Sequence, residues 1–118
     1  MPRDRRAAET RGRDGERAAA WYLRAKGWRI LAERVRTPAG EVDLVARRGK
    51  LVAFVEVKTR ATDAELDFAI DRRRLARVAA AAEILMPRFA GAGDDVRIDV
   101  LLLVPGRLPR HIENAWIG

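Results

Sequence analysis

The chain has 118 residues, 48% of them hydrophobic and 35% charged, which is enough apolar material for one compact domain with one core and too much for global disorder. Lys and Arg outnumber Asp and Glu by 24 to 17, a formal net charge of +7, and such a balance favours polyanionic partners, of which nucleic acid is the commonest. There is no cysteine or serine and His111 is the one histidine, so cysteine nucleophiles, Ser-His-Asp triads, disulfides and Cys/His zinc sites are excluded.

Met1 to Gly15 is Arg- and Gly-rich without apolar periodicity and reads as a basic flexible arm ahead of a single domain over residues 16–118. Glu16 to Lys26 is predicted as the first helix, with Gly27 as its C-cap. Trp28 to Arg36 alternates in part and stops before the turn Thr37-Pro38-Ala39-Gly40, as a strand would. Glu41 to Arg47 and Leu51 to Arg60 flank Arg48-Gly49-Lys50, a hairpin signal, so the three strands form a meander. Val42 to Ala46 (apart from Asp43) and Leu51 to Val55 are apolar on both parities, which calls for helices on both faces of the sheet. Phe68 to Met86 carries a helical apolar stripe and is expected to end at Pro87. A loop over Gly91 to Asp95, a strand over Val96 to Val104 and an edge strand over His111 to Ile117 complete the order α-β-β-β-α-β-β. No apolar run approaches the roughly 20 residues that span a bilayer and no secretory signal is seen, so the expected setting is the cytosol, away from membranes.

With Gly49 and Lys50 at the bend, Arg48 pairs with Leu51; counting outward, Asp43 faces Glu56 and Glu41 faces Lys58. Like charges directly opposed on one face destabilise a sheet. Two such carboxylates are tolerated if a divalent cation sits between them or one stays protonated. Alternation puts Lys58 on the same face as Glu56. Acid, acid and lysine are what Mg2+- or Mn2+-dependent phosphodiester hydrolysis needs: hard oxygen ligands for the ion, and an amine to orient or deprotonate water. Only Lys26, Lys50 and Lys58 among the 24 basic residues are lysines, and an ammonium can lose a proton where a guanidinium effectively cannot. Against this stands a plainer arrangement, in which Glu41 and Lys58 form a cross-strand pair and Asp43 is solvated. Glu16 is in line with Ala20 and Leu23 and is either a third carboxylate of the site or an ordinary first-turn glutamate. Arg73, Arg74 and Arg77 lie off the apolar stripe, where they either follow a phosphate backbone or are merely solvated.

Gly15-Glu16, Gly40-Glu41-Val42-Asp43-Leu44-Val45, Phe54-Val55-Glu56-Val57-Lys58-Thr59-Arg60, Arg97-Ile98-Asp99-Val100 and His111-Ile112-Glu113-Asn114-Ala115-Trp116 resemble the YraN-like uncharacterised bacterial family over nearly the whole chain. That family is similar to archaeal Holliday-junction resolvases, in the restriction-endonuclease-like superfamily with the PD-(D/E)xK signature. The resemblance implies an α/β fold with an αβββαβ core, a mixed sheet flanked by helices. It implies Asp43, Glu56 and the Val57 carbonyl as ligands of Mg2+ or Mn2+, Lys58 as catalytic lysine and Glu16 as the helix carboxylate. The implied activity is endonucleolytic cleavage of DNA, ahead of RNA and including branched or junction DNA; the alternative is a non-catalytic nucleic-acid-binding module that retains the fold. By analogy with resolvases, a homodimer stays open. The chain departs from the family where relatives carry Lys-Gln and it has Arg74-Leu75.

Overall fold

A computed structural model describes residues 5–60 and 72–116. Its elements are α1 (Arg5–Ala25), β1 (Arg29–Thr37), β2 (Gly40–Arg48), β3 (Leu51–Thr59), α2 (Arg72–Phe89), β4 (Asp95–Leu103) and β5 (Arg110–Ile112). The five strands form one sheet in the order β1-β2-β3-β4-β5, antiparallel except for the parallel pair β3 and β4. The fold is thus α/β with a mixed sheet flanked by helices. Among the described residues, no helix is long and apolar enough to cross a membrane.

The double-sided apolar strands are explained by two cores. On one face, α1 lays Ala19, Ala20 and Leu23 over Leu44, Ala46, Ala53, Val55 and Leu101, with Trp28 closing the end. On the other, α2 lays Leu75, Val78, Ala81, Ala82 and Leu85 over Val45, Val52, Phe54, Val100 and Leu102. Phe54 is wholly enclosed, and truncating such a residue costs about 3–5 kcal/mol. The hairpin register agrees with counting from the bend: Arg48 pairs with Leu51, Ala46 with Ala53 and Leu44 with Val55. Thr37 ties its turn, its Oγ1 accepting the N–H groups of Ala39 and Gly40 and donating to the Gly40 carbonyl.

Three boundaries differ from the sequence reading by more than one residue. The first helix begins at Arg5 rather than Glu16, since Ala and Glu in the supposed arm are good helix formers. The second passes through Pro87 to Phe89; near a helix end, the missing N–H of proline sacrifices one hydrogen bond and does not stop the chain. Phe68 to Asp71, its predicted start, lies outside the described residues. The last strand is only Arg110–Ile112. Asn114 adopts φ +51 and gives its N–H to the Asp99 side chain, while Ala115 gives its own to the Ile98 carbonyl, so the chain leaves the ladder.

Candidate functional site

The paired ladder of β2 and β3 stops at Leu44 and Val55, one position short of Asp43 and Glu56. The cause is a break in alternation. Leu44 belongs to the α1-side core and Val42 to the α2-side core, two residues apart. On β1, between the pairs Glu33 to Leu44 and Val35 to Val42, Arg34 takes φ +52, a conformation rare for a side-chain-bearing residue. Both strands therefore reverse face at Arg34 and Asp43. Asp43 accepts a 2.7 Å hydrogen bond from the N–H of Val57, replacing a ladder contact with a side-chain one. Asp43 and Glu56 thus do not meet as a regular cross-strand pair; they flank the point where the two strands part.

Glu16 arrives from the α1 side. Gly15 lets this happen, because a Cβ there would fall 2.6 Å from Thr59 Oγ1, so only a glycine brings the helix so close to the end of β3. Carboxylate oxygens of Glu16, Glu41 and Asp43 lie within 4.8 Å of one another. Glu16 is therefore turned to the site rather than to solvent. Glu41, which sequence reasoning opposed to Lys58, is instead a member of this acidic group; its i, i+2 spacing from Asp43 was the available signal. Arg34 reaches Glu16 at 3.0 Å and Arg36 reaches Glu41 at 3.3 Å, so two arginines of β1 partly neutralise the outer acids.

Glu56 and Lys58 project together toward α2, as alternation requires. Lys58 Nζ lies 3.1 Å from Glu56 Oε1, and both side chains are buried. Arg74 of α2 donates from Nε to the same oxygen at 2.7 Å. Leu75, beside it, is core. Arg73 and Arg77 are exposed along the same helix, and Arg77 passes the β1–β2 turn, its Cβ 3.6 Å from where a Gly40 Cβ would stand. Val57 is engaged through its N–H.

The charges show how crowded this corner is. Burial, then the nearby Glu56 charge, push Asp43 from 3.8 to about 7, against the opposing Val57 N–H bond; Glu16 and Glu41 add to the rise. Burial raises Glu16 as well, with Arg34 pulling the other way. Lys58 is lowered, again by burial first, while Glu56 opposes the fall and Arg74 adds to it. Glu16, Glu41 and Asp43 cluster where β2 and β3 separate, and Glu56 with Lys58, whose hold on its proton is weakened, stands on the α2 side, near enough for the Glu56 charge to raise Asp43. Such an arrangement can hold a hard cation and hand a proton to or from water.

A second buried acid, Asp99, is of another kind. It is 0% exposed and fully engaged by Arg97 at 2.8 and 3.0 Å, His111 Nε2 at 2.7 Å and the Asn114 N–H at 2.9 Å. His111 and Asn114 fasten the C-terminal segment to β4 through Asp99, and Arg97, on β4 itself, also reaches Glu113 at 3.5 Å, a structural role.

Comparison with known proteins agrees with this architecture. Relatives include UPF0102 proteins of Erythrobacter litoralis, 69% identical over 95% of this chain and 97% of that one, and of Sphingopyxis alaskensis, 65% identical with the same coverage. The chain is also similar in structure to Hjc, a Holliday junction resolvase of Archaeoglobus fulgidus, with a TM-score of 0.51 and 19% identity over 83% of this chain and 72% of that one. At that identity, the likeness speaks for the fold. The profile of Uncharacterised protein family UPF0102 matches residues 15–103, and the chain belongs to that family.

Proposed function

We propose that this protein is a Mg2+- or Mn2+-dependent endonuclease that hydrolyses phosphodiester bonds in DNA, with branched or junction DNA as its substrate class. The observation that carries the reading is Asp43: a half-buried carboxylate clustered with Glu16 and Glu41 and driven toward neutrality by burial and the nearby Glu56 charge, an arrangement costly for folding and suited to a dication. The donor set fits, since all side-chain donors are hard oxygens, the preference of Mg2+ and Mn2+. Asp43 and Glu56 would hold the ion with the Val57 carbonyl, and Glu16 and Glu41 would stand at the rim. Bound there, the ion supplies Lewis acidity toward a phosphate oxygen and toward water.

Lys58, with its proton loosened by burial, orients the attacking water and accepts a proton from it. Glu56 keeps the amine in place at 3.1 Å. Arg73 and Arg77 of α2 are exposed on the flank of the acids and contact the phosphate backbone, while Arg74 between them is held on Glu56. The fold shared with a Holliday junction resolvase supports a junction as substrate, and cutting one on two strands would use two copies of the chain.

The test is cleavage of labelled four-way, flapped and duplex DNA, and matching RNA, in Mg2+ or Mn2+. Glu56→Gln is expected to abolish cleavage with binding nearly intact. If the unmutated protein binds these substrates and cuts none, the non-catalytic binding module is the better account.

A further inference from the structure

Glu56 is 3% exposed, and a single oxygen, Oε1, takes both neighbouring cations, Lys58 at 3.1 Å and Arg74 at 2.7 Å. The two are not equivalent. Lys58 is buried with its partner on the same strand, whereas Arg74 reaches across from α2 with a side chain 58% exposed. A charge-assisted contact at 2.7 Å is strong, yet a hard dication seeks the same lone pairs with twice the charge. An ion on Glu56 therefore competes with the guanidinium for the carboxylate and repels it as well. Of the two cations, the one on an exposed, flexible side chain yields. A released guanidinium then presents a planar fork of donors that matches phosphate oxygens.

We propose that Arg74 is a metal-released phosphate clamp: it is counter-ion to Glu56 until a divalent cation takes that carboxylate, and it then swings to a backbone phosphate of the nucleic acid beside the site. The coupling makes firm substrate grip conditional on metal. It rests on the metal-dependent reading above.

Three measurements on the full chain test it. In 15N–1H spectra of arginine Nε–Hε groups, the Arg74 peak, assigned with Arg74→Lys, should move toward the position of solvated arginines on titration with Mg2+. Arg74→Gln should bind Mn2+, followed by loss of the free-ion EPR signal, about three- to tenfold more tightly than the unmutated chain, because a competing cation is gone. The same variant should bind a labelled four-way junction as well as the unmutated chain in EDTA, but at least about threefold more weakly in Ca2+. An Arg74 peak that stays put while Mn2+ binds, an unchanged or weaker Mn2+ affinity in Arg74→Gln, or an equal loss of junction binding in EDTA and Ca2+ would overturn the clamp alone. No Mn2+ binding by the unmutated chain at millimolar concentration, or undiminished binding by Glu56→Gln, would overturn the metal site and the clamp with it.

Discussion

Asp43→Asn is expected to make the protein more stable at neutral pH while removing its capacity for metal. Asp43 titrates at about 7 in the folded chain against an ordinary 3.8, so folding favours its protonated form. The stability this group contributes is fully present below pH 3.8 and is lost as pH rises to about 7. At about 1.36 kcal/mol per unit, the whole shift corresponds to about 4 kcal/mol. Part of that repulsion is shared with Glu56, which relaxes with it, so about 2–4 kcal/mol is expected in practice. Asparagine keeps an oxygen to accept the Val57 N–H and never charges. Urea denaturation from pH 4 to 8.5 without divalent ions should show the variant's advantage growing to pH 7 and levelling at about 2–4 kcal/mol. Millimolar Mn2+ should then stabilise the unmutated chain and not the variant, narrowing the gap. An advantage that is small and independent of pH would refute the idea that the acids are held together against their repulsion.

Gly15→Ala should push α1 off the end of β3: the new Cβ meets Thr59 Oγ1 at 2.6 Å, an overpacking cost of about 1–3 kcal/mol against about 1 kcal/mol gained in helix propensity. Thermal unfolding should show Thr59→Ala restoring the loss in the double variant. Asp99→Asn should cost about 3–5 kcal/mol in urea denaturation. Burial alone would raise Asp99, but hydrogen bonds from His111, Arg97 and the Asn114 N–H outweigh it and hold the group below 3.8; its stabilising effect is therefore present above pH 3.8 and lost as pH falls below that. Arg77→Gln should lower DNA affinity and flatten its dependence on log salt by about 0.9, measured by fluorescence anisotropy; an unchanged slope would take Arg77 off the phosphate path.

The local grammar of the chain was readable where one force dominated. Gly49 and Lys50 set the bend, and the apolar double parity of β2 and β3 required helices on both faces; the Leu44 to Val55 pairing and the two cores follow from these. Glu56 and Lys58 sharing a face needed only strand alternation. What escaped the sequence depended on departures from regularity. Counting from the bend carries Asp43 opposite Glu56, but no local signal announces that Arg34 turns to φ +52 and that both strands reverse face there. That reversal brings Asp43 to the Val57 N–H and Glu41 into the acidic group. The Arg74 contact to Glu56 joins two residues 18 positions apart in sequence and depends on how α2 is laid across the sheet, which periodicity alone does not specify. His111 and Asn114, unremarkable as residues of a short edge segment, acquire their role from the enclosed Asp99.

The most direct test is a crystal of the full chain soaked in Mn2+ at pH 8, with the ion located by its anomalous scattering. A peak about 2.0–2.3 Å from carboxylate oxygens of both Asp43 and Glu56, with Arg74 turned away, is the predicted result. An anomalous map with no peak between those two residues would contradict the account.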